Sequence, residues 1–108
     1  MCCYKTLHKN EEGYVVFCKS CESLHVGYGN VVLSNTIEEF YSFEAKIDAY
    51  YREHRYDLYP DLKTISVNTS TRTITLVYSP NDLKKLSNIL NKAKEKLTLE
   101  KLFVFNDN

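Results

Sequence analysis

Little in this sequence is extreme, and what it lacks narrows the field. Its 108 residues hold only two prolines and three glycines, in the proportions of one ordinary small domain. Lys+Arg and Asp+Glu balance at 14 each, for a formal net charge of zero. That removes the basic excess by which a dedicated nucleic-acid binder shows itself. No apolar run approaches the ~20 residues of a membrane span. The start, Met1-Cys2-Cys3-Tyr4-Lys5, has no apolar stretch of the secretory kind. No cysteine occurs after position 21, so bridges spread through the fold, as in secreted scaffolds, are not expected. The expected setting is the reducing cytosol, where a C-x-x-C more often serves a metal or redox chemistry than a structural disulfide.

What is present is ordinary enough to fold. The apolar share is 44% and the charged share 26%, which excludes wholesale disorder and supports a single core. Lys5-Thr6-Leu7-His8 and Tyr14-Val15-Val16-Phe17 flank Asn10-Glu11-Glu12-Gly13. Strand formers around a polar turn predict a hairpin, with Gly13 at a position of positive φ. A second hairpin is expected from Leu24 and Val26, through Gly27-Tyr28-Gly29-Asn30, to Val31-Val32-Leu33. Gly27 and Gly29 serve that turn, since a dinucleotide fingerprint would need a third glycine and a following helix.

Thr36-Ile37-Glu38-Glu39 reads as a capping box. Phe40, Phe43, Ile47 and Tyr50 follow at helical spacing, so a helix of four to five turns is predicted to run towards His54, ending before Pro60. The second half echoes the first. Ile65 and Val67 alternate with polar residues, Thr69-Ser70-Thr71 turn, and Ile74, Leu76 and Tyr78 alternate again. Ser79-Pro80 then caps a helix striped by Leu83, Leu86, Leu90, Ala93 and Leu97. Offsets of 4, 7, 11 and 14 from Thr36 and from Ser79 give both apolar stripes.

The predicted fold is α+β and two-layered: an antiparallel sheet built hairpin–helix, hairpin–helix, with both helices on one face and an N-terminal zinc-ribbon-like hairpin. Residues 1–108 form one domain, with a cysteine-bearing subregion at 1–26 and a body at 27–108. The apolar tail Leu102-Phe103-Val104-Phe105 is expected to dock as an edge strand.

Cysteines at 2, 3, 18 and 21 are the unusual feature. Cys18-Lys19-Ser20-Cys21 offers the short spacing that turns two thiolates towards one Zn2+. If the first hairpin turns at Glu11-Glu12, facing residue numbers sum to about 23. Cys3 then faces Ser20 and Cys2 faces Cys21, both near the half-site. His8 faces Val15, roughly 10 Å away at strand rise, too far to share the ion. His25 can join only if Glu22-Ser23 turn back, because an extended chain from Cys21 would carry it about 13 Å off. The ligand order is Cys18 and Cys21, then Cys3, then His25, with Cys2 as the alternative fourth. Cys18 ends a strand rather than opening a helix, which argues against redox catalysis.

Several of these features occur together elsewhere. They are an N-terminal Cys, Cys18-x2-Cys21-x3-His25-Val26, Gly29-Asn30 before an apolar strand, and Glu39-Phe40 with Phe43. Ile47-Asp48, Tyr51-Arg52-Glu53, Tyr56 and the run Lys63-Thr64-Ile65-Ser66-Val67-Asn68-Thr69 before Leu76-Val77 complete the set. Over most of its length the chain resembles a small bacterial family of unknown function, seen mostly in Bacteroidetes. The resemblance transfers no catalytic residues. It implies that Cys18, Cys21 and His25 belong together.

Tyr50, Tyr51, Tyr56 and Tyr59 crowd the end of the first helix beside Arg52 and Arg55. They could form a surface for a protein partner, though a half-buried helix end explains them more simply. Residues 1–60 carry six Lys/Arg against nine acids, and residues 61–108 carry eight against five. The lysines of the second helix read as its solvated face rather than as an anion site. The function expected is that of a non-enzymatic, zinc-stabilised cytoplasmic interaction domain with an unidentified protein partner. A nucleic-acid-binding ribbon and a C-x-x-C thiol-redox protein are the alternatives.

Overall fold

Strand-forming residues on both sides of two polar turns build most of the architecture. The computed structural model describes residues 3–106, and the side chains of residues 3–100. In chain order the elements are β1 (Tyr4–Lys9), β2 (Gly13–Cys18), β3 (Ser23–Tyr28), β4 (Val31–Thr36), α1 (Ile37–His54), β5 (Ile65–Asn68), β6 (Thr75–Tyr78) and α2 (Pro80–Asn106). The fold is α+β, as expected. The strands form two sheets: an antiparallel meander in the order β1-β2-β3-β4, and a separate β5-β6 hairpin. The first two hairpins therefore share one sheet, and the hairpin between the helices stands apart from it. Because β3 runs across position 26, the cysteine-bearing segment and the body share a strand.

Each turn has a local cause. At the first, the Asn10 side-chain oxygen accepts from the Glu12 and Gly13 amides at 2.8 and 3.0 Å, an Asx turn. Gly13 does not have positive φ; among the described residues only Gly29 (φ 61) and Glu22 (φ 52) do. Gly13 is required by close approach instead: a Cβ there would lie 2.2 Å from the carbonyl oxygen of Gly27. Gly29 and Asn30 form a two-residue loop between Tyr28 and Val31. Positive φ at its first residue only is the pattern of a II′ turn, whose twist matches that of the flanking strands.

Register along β1-β2 changes once. His8 faces Val15 and Lys9 faces Tyr14, but Thr6 faces Val16 and Tyr4 faces Cys18, with a bulge at Leu7 between them. The constant sum of 23 therefore holds near the turn and becomes 22 beyond the bulge. The extra residue lets Leu7 enter the core at 4% exposure.

Both helices pack on one face of the meander, α2 over β1 and β2, α1 over β3 and β4, and they pack against each other. The α1 capping box forms as the sequence implies: Glu39 N–H donates to Thr36 Oγ1 (3.1 Å) and Thr36 N–H to Glu39 Oε1 (2.8 Å). Phe40 and Ile47 are fully buried, while Phe43 and Tyr50 are partly so. In α2 all five predicted stripe residues are buried, and Ile89 joins them. Glu44 of α1 is also buried, at 6% exposure, and accepts a 3.3 Å hydrogen bond from Lys94 of α2. That ion pair fixes the two helices at one register.

Two further expectations fail. Ile74 is half exposed and its amide closes a turn onto the Thr71 carbonyl, so β6 begins at Thr75. The Leu102–Phe105 tail is helical, a continuation of α2 to Asn106, and not an edge strand. Extending a formed helix adds one hydrogen bond per residue without a new nucleation cost, which outweighs a local strand preference.

Candidate functional site

Cys18 is the last residue of β2, and the chain reverses directly after it. Glu22 N–H donates to the Lys19 carbonyl (3.3 Å), and Glu22 adopts the left-handed conformation that few non-glycine residues take. β3 then returns beside β2 with Ser23 facing Cys18 and His25 facing Val16. The turn-back that His25 needed is therefore present. Facing residues share a side of the sheet, so Cys18 and His25 lie on the face away from the helices, as diagonal neighbours at ~7–8 Å between Cα atoms.

Cys18 is nevertheless fully buried. On the same face, Tyr4 of β1 lies opposite Cys18, and His25 of β3 lies one pair along. Their strands are two spacings apart, ~9.5 Å, yet their ring centroids are only 5.1 Å apart, edge to face. Both rings must lean over β2. Ser34 Oγ holds His25 Nδ1 at 2.9 Å, which fixes the imidazole plane. Tyr4 had no role in the sequence reading; its proximity arises only from the register.

The Cys18 sulfur has one close polar side chain beside it. The Ser20 hydroxyl is 3.3 Å away, and the backbone amides of Cys21, Ser20 and Cys3 lie near enough to favour the thiolate form. Led by the Ser20 hydroxyl, these donors outweigh the upward push of burial and hold the thiol below its ordinary range. Cys3 and Cys18 are free thiols, whereas Cys21 is disulfide-bonded. Cys2 lies outside the described residues.

Of the predicted ligands, the register brings Cys18 and His25 to one face of the sheet, and the Cys3 and Cys21 amides lie near the Cys18 sulfur. No group of three or more His, Cys, Asp or Glu side chains among the described residues is arranged to hold a metal ion. His8 lies near the far end of the hairpin, opposite Val15, and its Nε2 is buried without a hydrogen-bond partner. The tyrosine cluster divides: Tyr50 and Tyr51 pack against the core, while Arg52, Tyr56 and Tyr59 are exposed.

A second polar cluster lies where α2 begins, beside a cleft of ≈510 Å³. Asp82 and Ser79 exchange hydrogen bonds between side chain and backbone at 2.9 and 3.0 Å, a capping box. Tyr28 Oη donates to Asp82 at 3.0 Å, and Lys63 pairs with the same carboxylate. Burial pushes the Asp82 carboxyl up, but Lys63, the Ser79 amide and Tyr28 together bring it below the usual range. Burial, with Asp82 beside it, pushes the Tyr78 hydroxyl up to about 12. Every group is internally paired, so the cluster reads as a helix start.

A pH dependence follows. A depressed folded-state pKa contributes stability that is complete above the unfolded value near ~3.9 and is lost as pH falls through the folded value. Asp82→Asn is expected to cost about 1–2 kcal/mol at neutral pH and to flatten the acid limb of stability below about pH 4. Urea melts across pH 2–7 check this; an unchanged acid limb would remove Asp82 from the account.

No helix among the described residues is long and apolar enough to cross a membrane. One family model, a family of unknown function (DUF6686), matches residues 1–107. No curated protein and no solved structure matches the chain.

Proposed function

We propose that this chain, which belongs to the DUF6686 family of unknown function, is a non-enzymatic interaction domain whose first hairpin is clipped by a structural Zn2+. The observation that carries this reading is the buried Cys18 at the end of β2, with the chain reversing directly after it through Cys21 and bringing His25 back onto the same face of the sheet. The C-x-x-C spacing at a chain reversal turns two sulfurs towards one point, as a tetrahedral Zn2+ requires. Cys3, Cys18 and Cys21 supply the sulfur ligands and His25 the fourth position, with Cys2 as its alternative. The Ser34 contact to His25 Nδ1 is of the kind that orients a ligating imidazole.

The disulfide at Cys21 makes the clip dependent on reduction. Two sulfurs on one tetrahedral zinc, each at ~2.3 Å, are about 3.8 Å apart, so a modest separation converts a bridged sulfur into a ligand. The thiol-redox reading is weaker, because full burial denies Cys18 the access that thiol exchange requires. Zero net charge weighs against nucleic acid. The test is thermal melting of the reduced protein with and without a chelator. The chelator should lower the wild-type Tm, and Cys18→Ser should melt lower and ignore the chelator. A reduced wild type that melts identically in both conditions would overturn the clip.

A further inference from the structure

The lysines of α2 do not form one uniform solvated face. Lys84 and Lys85 line, together with Arg52 and Arg55 at the end of α1, an open groove of ≈700 Å³ between the helices. Its only acidic lining residue is Asp48, which binds Arg52 at 3.1 Å and accepts from Ser87 at 3.4 Å. Lys85 reaches Glu12 at 3.7 Å. Among the described residues, Arg55 and Lys84 have no acidic partner. The groove is therefore a net cationic strip on a chain whose total charge is zero.

The rim beside it carries four exposed apolar side chains, and its two carboxylates are already paired, Asp57 with His54 and Asp61 with Asn81. Tyr56, Leu58, Tyr59 and Leu62 are 85%, 81%, 64% and 55% exposed. This loop is tied to the groove at both ends. Arg55 lies 4.9 Å over the Tyr56 ring, and Asn81, which lines the groove, bonds the Pro60 carbonyl at 2.9 Å and the Asp61 carboxylate at 2.6 Å. Cations in the floor and apolar side chains along the rim complement a chain of alternating acidic and apolar residues.

We propose that the groove between α1 and α2 binds an acidic, apolar-containing segment of a partner protein, with Arg55 and Lys84 pairing its carboxylates and the 56–62 loop covering its apolar side chains. The inference rests on the reading of this chain as an interaction domain and supplies the chemistry of its partner. A peptide is favoured over nucleic acid or free phosphate because the exposed apolar rim has no use for either alone, and because the chain lacks the basic excess of a nucleic-acid binder.

The test is fluorescence anisotropy of the reduced full chain with a labelled peptide of Asp-Glu-Leu repeats. The Asn-Gln-Leu analogue, a single-stranded oligonucleotide and inorganic phosphate serve as competitors. The acidic peptide should bind, more weakly as salt rises, and the competitors should not displace it. The double variant Arg55→Gln/Lys84→Gln should weaken binding about tenfold, roughly what 1.4 kcal/mol would produce. Leu58→Ser should also weaken it, and Lys92→Gln, outside the groove, should not. Equal binding of the Asn-Gln-Leu analogue, displacement by oligonucleotide or phosphate, or equal losses from Lys92→Gln and the groove variant would overturn the proposal. Chelator sensitivity is read on the same variants. Lost peptide binding with an intact clip sinks the groove alone, and an absent clip with peptide binding sinks the clip alone.

Discussion

Phe40→Ala is expected to destabilise the protein by about 3–5 kcal/mol, the largest loss from any single side chain named here. Phe40 is fully buried in the first turns of α1, where its ring joins the core between that helix and the meander and meets Tyr41 edge-on at 6.0 Å between centroids. The capping box fixes where α1 begins, so the backbone cannot slide to refill the space. Small domains have only ~5–15 kcal/mol in total, and Tm should fall by on the order of 15 °C or more. Leu58→Ala, at a side chain 81% exposed, should stay within about 0.5 kcal/mol. Urea denaturation of both decides it. A Phe40→Ala loss below about 1 kcal/mol would mean that α1 does not seat on the sheet as described.

Gly13→Ala is expected to cost about 2–3 kcal/mol, the upper part of the range for overpacking. The added Cβ would meet the Gly27 carbonyl oxygen at 2.2 Å, with Ile89 Cδ1 behind it at 3.4 Å. The obstacle is the backbone of the neighbouring strand, so relief requires β2 and β3 to separate at the end where their ladder begins. Gly27→Ala gives a contrast. Its Cβ would meet the ring of Tyr14 at 2.3 Å, and a side chain of intermediate exposure can swing aside, so its loss should be smaller. Gly29→Ala meets nothing within 4 Å but keeps φ at 61, and should cost on the order of 1 kcal/mol from backbone conformation alone. The order Gly13, Gly27, Gly29 in chemical denaturation is the expected result. A neutral Gly13→Ala would contradict the strand packing.

The parts of this fold that were legible in the sequence are those set by neighbours along the chain. Thr36 and Glu39, Ser79 and Pro80, and the two leucine- and phenylalanine-rich stripes marked both helices, because caps and 3.6-residue periodicity act within a few residues. The turns at Asn10–Gly13 and within Gly27–Asn30 were legible for the same reason, although Gly27 belongs to β3 and only Gly29-Asn30 form the loop. What escaped depends on partners far away in sequence. The reason for Gly13 is an oxygen fourteen positions on, at Gly27. The bulge at Leu7 arises from the demand of the core for one more side chain, and it shifts the register that places Cys3. Glu44 lies on the buried side of α1 because Lys94 meets it from α2.

The cysteine site divides along the same line. The Cys18–Cys21 spacing was legible, and so was the need for a reversal before His25. The Tyr4–His25 ring contact beside Cys18 was not, since it requires knowing that β1 and β3 flank β2. The groove lysines were read as solvated surface because nothing local distinguishes Lys84 from Lys92. Only the packing of α2 on α1 sets Lys84 and Lys85 beside Arg52 and Arg55.

The clip at Cys18 is the central claim, and metal stoichiometry tests it most directly. Protein purified under reducing conditions without added metal is compared with Cys18→Ser by elemental analysis. About one zinc per chain in the wild type, and its loss in the variant, is the expected result. Wild-type protein with no metal above background, or Cys18→Ser retaining as much as the wild type, would contradict it.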